Sequence, residues 1–106
     1  MNAGAPDRVQ LPEGWAEDVL TFWFDELEAA DWFKKSDATD AKIRSRFLDL
    51  YEQLSQVPVG SLLASSREAL AAVIVLDQFP RNLFRGDPKS FATDAKARAI
   101  TEAALD

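Results

Sequence analysis

An uninterrupted apolar run at residues 69–76 limits what this chain can fold into more than any other feature. None of its eight residues is polar, so the segment has to be buried on every side. Either a buried strand or a buried helix could produce such a run. The residues before it favour a helix, because Ser65 and Glu68 match a capping box. We therefore expect a helix that starts at Ser65, ends before Pro80 and is enclosed by other helices.

Three further helices are predicted from apolar side chains that recur every three or four residues. The first runs from Trp15 to Ala30 and carries several large rings, and the second spans about residues 37–56. The fourth runs from about residue 93 to residue 105. One side of this fourth helix has small residues that would let another helix approach closely: Ala92, Ala95, Ala99 and Ala103.

Length and composition fit one small domain. A chain of 106 residues that is 47% hydrophobic and carries a net charge of −6 resembles neither a disordered nor a membrane-spanning protein. We expect residues 1–11 to be a flexible leader and residues 12–106 to form one all-α domain of antiparallel helical hairpins. No secretory signal and no apolar run of membrane-spanning length occur, so we expect a cytoplasmic protein with no membrane partner.

The chain contains neither cysteine nor histidine. This composition excludes disulfides, thiolate nucleophiles, the usual zinc and haem ligands and Ser-His-Asp triads. The acidic balance argues against a nucleic-acid partner, and phosphate-binding glycine loops and EF-hand spacing are missing. We therefore expect no metal and no other cofactor.

An internal repeat links two distant parts of the chain. Residues 35–44 and 89–98 match at eight of ten positions, 54 residues apart. Each copy has a Thr-Asp pair near the start of a predicted helix, where a cap and a negative charge are favourable. A duplicated hairpin would give a solenoid-like stack. The alternative, that both copies converged on a good helix start, stays open at this point.

The most unusual polar residues follow the apolar run. Helical spacing places Asp77 in line with Val73 and Leu70, and a buried carboxylate has to find a cation or hydrogen-bond donors. The favoured interpretation is an ion-pair and amide network that locks the turn after the third helix. The alternative is a polar pocket for an anionic or amide-bearing ligand. Both interpretations involve the same candidates: Asp77, Gln78, Arg81, Asn82 and Arg85.

The N-terminal third contains three further candidates. Glu26 falls within the apolar arc of the first helix, where burial would raise its pKa and suit a general acid or base. Pairing of Glu26 with an arginine from a neighbouring helix is the more common arrangement. Trp23 and Trp32 could line a ligand slot, although core packing accounts for most aromatic residues in so small a domain.

Several motifs occur together in this chain: Phe22-Trp23-Phe24, Trp32-Phe33, Asp40-x-x-Ile43-x-x-x-Phe47, the block from Leu76 to Gly86, and Phe91-Ala92-x-Asp94-x-x-Ala97. With these motifs the chain resembles the bacterial domain-of-unknown-function family 924 over about residues 15–106. The resemblance implies an all-helical, tetratricopeptide-repeat-like (TPR-like) fold with no assigned activity, substrate or cofactor.

The chain also departs from that family's pattern. Asp25 stands where a glycine is common, and Thr39 stands where a phenylalanine is usual. Family members continue into a segment with a His-Ser-Glu motif, which we expect this chain to lack.

Two functions are carried forward from the sequence. The favoured one is a non-catalytic TPR-like scaffold or binding module for a peptide or small ligand, with self-association through uncovered apolar surface as a further expectation. The alternative is a small enzyme acting on an anionic metabolite. In that enzyme Glu26 or Asp77 would be the base, and Arg81 or Arg85 would clamp the anion.

Overall fold

The computed structural model describes residues 11–27 and 37–105, and its helices form four stretches within them. In the first stretch, helix α1 (Trp15–Thr21) continues into a first π turn (Phe22–Glu26). The second stretch is helix α2 (Asp37–Gln56), with the bounds predicted from the sequence.

The third stretch has three parts: helix α3 (Ser66–Val73), a second π turn (Ile74–Gln78) and helix α4 (Phe79–Leu83). The fourth stretch is helix α5 (Asp94–Leu105). Two short 3-10 segments, Val59–Leu62 and Pro88–Phe91, connect these helices. The part of the chain that the structure describes contains no strand, which confirms the all-α class with four main helices.

The first helical stretch is shorter than its predicted span of Trp15 to Ala30. Leu27 has extended backbone angles (φ −89°, ψ 146°), and its N–H donates to the carbonyl of Phe22 at 3.1 Å, which closes the first π turn. Residues 28–30 lie outside the described residues, as does the predicted leader apart from Leu11, which packs against the core.

The third stretch begins as predicted but is not enclosed on every side. The hydroxyl oxygen of Ser65 accepts the N–H of Glu68 at 3.1 Å, which confirms the predicted N-terminal cap. Helices α1, α2 and α5 pack around this stretch and bury most of the apolar run. Leu70, however, is 46% exposed and Val73 is half-buried. The prediction of burial on every side is therefore wrong along the edge that carries Leu70 and Val73.

The prediction that this helix ends before Pro80 is also wrong. Proline cannot donate a backbone hydrogen bond, and its ring clashes with the carbonyl four residues earlier. Here the helix widens before Pro80, because the N–H of Phe79 donates to the carbonyl of Ile74, five residues back. The widened turn accommodates the proline, and the chain continues as helix α4 to Leu83.

A side chain bonds to the carbonyl of Leu76, to which Pro80 cannot donate. The buried hydroxyl of Thr93 donates to the carbonyl of Leu76 at 2.6 Å. One residue later, Nε of Arg81 donates to the carbonyl of Asp77 at 3.0 Å. The Thr93 hydroxyl thus supplies the donor that Pro80 lacks, and Arg81 adds a side-chain donor to the Asp77 carbonyl.

A cluster of aromatic rings joins the first three stretches. The ring of Phe79 lies 5.0 Å from that of Phe47 and 5.9 Å from that of Trp23, measured between centroids. Phe22 packs against the same rings, 5.1 Å from Phe47. The guanidinium of Arg46 lies over Phe22 and Phe47, at 5.0 and 5.2 Å from their centroids, so a cation–π contact covers the edge of the cluster.

Helix α5 packs through the face that carries Ala97 and Ile100, which are buried. Its Lys96 ammonium donates to the carbonyl of Leu54 near the end of α2 at 2.8 Å, and partial burial lowers the pKa of this lysine. On the small-residue side of α5, Ala99 is half-buried, and the other three alanines, Ala92, Ala95 and Ala103, are exposed. Within the described ranges, no helix has both the length and the apolar character needed to cross a membrane.

We expect the Thr93→Val substitution to lower the free energy of unfolding by about 1–3 kcal/mol, because it leaves the buried Leu76 carbonyl without a donor. Urea denaturation followed by circular dichroism measures the change. Thr101→Val is the matched control, because the hydroxyl of Thr101 donates only within its own helix, to Ala97 at 3.0 Å. Equal losses in the two variants would contradict the role given to Thr93.

Candidate functional site

The structure separates the polar residues predicted around Pro80 into two groups. Because the helix continues to Leu83, Asp77 and Arg81 lie one turn apart on the same face. The side-chain amide of Gln78 donates to the carboxylate of Asp77 and belongs to this first group. Asn82 and Arg85 point to a different neighbour, helix α2. The predicted set therefore forms two sites rather than one.

Asp40 of helix α2 is the centre of the second group. Its carboxylate accepts the side-chain amide of Asn82 at 2.7 Å and two bonds from the guanidinium of Arg85, at 3.0 and 2.9 Å. The side chain of Asp40 is 20% exposed, and the hydrogen bonds to this carboxylate raise the pKa of Arg85. Two bonds from one guanidinium fix both the distance and the orientation of the pair.

Arg44, one turn after Asp40, completes this contact. Its guanidinium donates to the carbonyl of Leu83, the last residue of helix α4. Asp40 and Arg44 together hold the end of α4 against α2. This arrangement is an ion-pair and amide network of the kind favoured from the sequence, centred on Asp40, and Asp77 forms a second such network with Arg81 and Gln78.

The first group lines an open cleft between the third stretch and helix α5. The cleft has a volume of about 330 Å³. Asp77 and Arg81 contribute one wall and form an ion pair at 3.3 Å, with the side chain of Asp77 28% exposed. The remaining lining residues are one apolar residue of α3 and four residues of α5: Val73, Asp94, Ala97, Arg98 and Thr101.

Two charged residues of α5 line this cleft with side-chain atoms that have no hydrogen-bond partner among the described residues. Oδ1 of Asp94 is buried and has no hydrogen-bond partner among the described residues. Arg98 lies one turn later, and its exposed side chain makes no ion pair or hydrogen bond with the part of the chain that the structure describes. Buried polar atoms in folded proteins nearly always have partners. The described chain therefore leaves two groups unused: the exposed guanidinium of Arg98 and one solvent-shielded oxygen of Asp94.

An exposed aromatic ring lies beside the same wall. Phe91 is 59% exposed, and the guanidinium of Arg81 lies 5.9 Å from the centre of its ring. A ligand in the cleft could therefore combine polar contacts with an apolar one.

The candidates in the N-terminal third are not brought to this cleft. Glu26 is exposed and forms an ion pair with Arg46 at 2.8 Å, so its predicted place in the apolar arc is wrong. The hydrogen bond from Arg46 lowers the pKa of Glu26, whereas a general acid would need a raised one. Trp23 is buried against Phe79 in the core, and Trp32 lies outside the described residues.

Sequence reasoning did not single out Asp40, Asp94 or Arg98 as site residues. Asp40 and Asp94 occupy matching positions of the internal repeat, which was the signal that could have identified them.

Among residues 11–27 and 37–105, no group of three or more acidic side chains lies close enough to hold a metal ion.

We expect Asp40→Asn to lower the free energy of unfolding by about 1–2 kcal/mol, because Arg85 loses its charged partner and Asn82 loses an acceptor. Thermal and urea unfolding at neutral pH measure the effect. Asp49→Asn on the same helix is the control, since Asp49 is an exposed carboxylate. If the two variants unfold at the same urea concentration, the Asp40 network does not hold α4 in place.

The Glu26–Arg46 pair predicts a pH dependence of stability. The pKa of Glu26 is held below its ordinary value of 4.5, so the ionised pair stabilises the fold at pH values above 4.5. This contribution is lost as the pH falls below 4.5 and Glu26 takes up a proton in the folded state. We therefore expect the difference in urea midpoint between the wild type and Glu26→Gln to shrink between pH 6 and pH 3. A difference that stays constant over this range would refute the assignment.

Comparison with known proteins places this fold in a family. A family profile described as "Bacterial protein of unknown function (DUF924)" matches residues 19–106. The chain is also similar to the solved structure of a protein of unknown function from Agrobacterium tumefaciens, with 34% sequence identity and a TM-score of 0.79. That match covers 85% of this chain and 51% of the other, so the chain spans about half the length of the solved structure. No curated protein matches the chain. The chain belongs to the bacterial family of unknown function DUF924.

Proposed function

We propose that this chain is a non-catalytic, TPR-like binding module whose cleft between the third stretch and α5 holds a peptide or small ligand. One observation carries the proposal: the buried Oδ1 of Asp94 and the guanidinium of Arg98 belong to the same wall and have no partners among the described residues. An unsatisfied buried acceptor costs about 1–3 kcal/mol, so a ligand whose donor reaches Oδ1 would recover up to that amount.

The lining of the cleft indicates what such a ligand has to offer. Asp77 and Asp94 are acceptors, whereas Arg81 and Arg98 are donors, and both kinds are present on the two walls. A ligand with N–H donors and carbonyl or carboxylate acceptors close together would satisfy both kinds. Peptide groups have this combination, and a cleft of about 330 Å³ is near the lower end of the range for small-ligand sites.

The repeat supports the TPR-like part of the proposal. Each repeat copy lies at the start of a helix, α2 or α5, that follows a helical stretch with a π turn. Such paired helices can stack so that each pair packs against its neighbours. The cytoplasmic location expected from the sequence belongs to the same proposal.

The enzymatic alternative has less support from the geometry. The lowered pKa of Glu26 disfavours it as a general acid or base at neutral pH. The carboxylate of Asp77 already accepts hydrogen bonds from Gln78 and Arg81. Arg85, the second proposed anion clamp, is engaged by Asp40. A binding role requires none of these groups to change partners.

Titration of the isotope-labelled chain with dipeptides and with amide- or carboxylate-bearing metabolites tests the proposal. We expect at least one of these ligands to cause saturable NMR shifts at residues 77–81 and 94–101. Asp94→Asn and Arg98→Met should each weaken binding by about tenfold, because each removes a charge-assisted hydrogen bond.

Arg67→Gln is the matched control for these variants. Arg67 is exposed and pairs with Glu17 at 2.6 Å, and neither residue lines the cleft. The proposal fails if no ligand in the panel shifts the cleft residues, or if the cleft variants bind as tightly as this control.

A further inference from the structure

The two copies of the internal repeat are buried in a similar way, although Asp40 is the fourth residue of α2 and Asp94 is the first residue of α5. Thr39 and Thr93 are both buried, and the positions four residues later, Ile43 and Ala97, are buried as well. Asp40 and Asp94, which directly follow the threonines, are half-buried in both copies. Eight identical positions of ten and the similar burial of these residues indicate that helices α2 and α5 make the same kind of contact through them.

In the first copy, α2 makes that contact with the end of helix α4. Asp40 accepts the amide of Asn82 and the guanidinium of Arg85, and Arg44 donates to the last carbonyl of α4, at Leu83. The helix that ends there belongs to the next helical stretch of the chain. The first copy therefore shows what an Asp and an Arg at these two positions bind.

In the second copy, the same positions face the cleft. Asp94 corresponds to Asp40, and Arg98 corresponds to Arg44. Both line the cleft, and neither has side-chain partners like those of the first copy among the described residues. The second copy thus has the binding groups of the first without the helix end that they bind.

The side chains beside Asp94 and Arg98 differ in size from those beside Asp40 and Arg44. Phe79, which precedes Asn82 by three residues, packs against Phe47 of α2 at 5.0 Å. Thr101 takes the position of Phe47 in α5 and lines the cleft together with Val73 and Ala97. Ala97 and Thr101 are smaller than Ile43 and Phe47 of the first copy, so the cleft has room for an apolar side chain beside Asp94 and Arg98.

We propose that the cleft is a docking site for the end of a helix from a further polypeptide segment. This segment supplies an amide and an arginine to Asp94, as Asn82 and Arg85 do to Asp40. It also supplies a helix-end carbonyl to Arg98, as Leu83 does to Arg44. The inference rests on the proposed function and narrows its ligand to a helical peptide. Three features define that peptide: a bulky apolar residue, a side-chain amide three residues later and an arginine six residues after the apolar residue.

Charge complementarity supports this occupant over a free metabolite. The last carbonyls of a helix carry partial negative charge and lack partners within the helix, so they suit the guanidinium of Arg98. The arginine of the segment suits the carboxylate of Asp94, as Arg85 suits Asp40. In a stack of helical pairs, each pair contacts its neighbours in this repeated way.

A peptide copied from the chain itself is the most direct probe. Residues 76–87, acetylated and amidated at the ends and held helical by a lactam bridge that avoids Phe79, Asn82 and Arg85, contain all three features. We expect this peptide to cause saturable NMR shifts in the labelled full chain, concentrated at residues 94–101. The dissociation constant should be between about 0.1 and 1 mM, as suits a small contact area.

Changes in the peptide and in the chain test the pairing. Arg85→Gln in the peptide should weaken binding by about fivefold or more, and so should Asp94→Asn in the chain. Exchange of the charges gives a stricter test, because the Arg85→Asp peptide should bind the Asp94→Arg chain more tightly than it binds the wild type. Arg67→Gln in the chain and a scrambled peptide are the controls.

The possible outcomes separate this inference from the proposed function. If small ligands shift the cleft residues but the bridged peptide does not, the helix-end inference is wrong and the binding module stands. If neither causes shifts, both are wrong. Equal binding of the original and Arg85→Gln peptides would also overturn the inference, because the arginine would then have no role.

Discussion

The missing amide hydrogen of Pro80 is the constraint on which the rest of this structure depends. A proline at this place would normally end the helix. Here the turn at Ile74–Gln78 widens, and the Leu76 carbonyl that Pro80 cannot bond accepts the hydroxyl of Thr93 instead. Because α4 then continues to Leu83, the polar residues of one short segment face two helices. The same adaptation thereby positions both the network with α2 and the cleft with α5.

Short-range signals in the sequence predicted most of the fold, and long-range adjustments account for its errors. The Ser65 cap, the span of α2 and the start of α5 depend on neighbouring residues, and the structure confirms them. The π turns could not be read from a period of 3.6 residues, because each adds a residue to one turn and rotates the later residues by about 100°. That rotation fits the position of Glu26, which leaves the apolar arc and reaches Arg46.

The candidate site was predicted in part for a related reason. The residues around Pro80 were identified because a carboxylate, amides and guanidiniums beside an apolar run need partners. Their partners could not be identified from the sequence, since Asp40 lies 42 residues from Asn82 and 45 residues from Arg85. Pairing over such distances depends on how the helices pack. The repeat contained part of this information, because it places Asp94 where Asp40 stands in the other copy.

The comparison of the two copies also bears on stability. A domain of this size has about 5–15 kcal/mol of total stability, so about 1–3 kcal/mol for an unsatisfied acceptor at Asp94 is a sizeable fraction of it. In the first copy Asp40 avoids this cost through Asn82 and Arg85. Nothing in the sequence of the second copy prevents the same solution, since its Thr, Asp and Arg are unchanged. Because a ligand that binds only the folded chain stabilises it by mass action, a helix end docked at Asp94 and Arg98 would remove the cost and raise the stability of the whole domain.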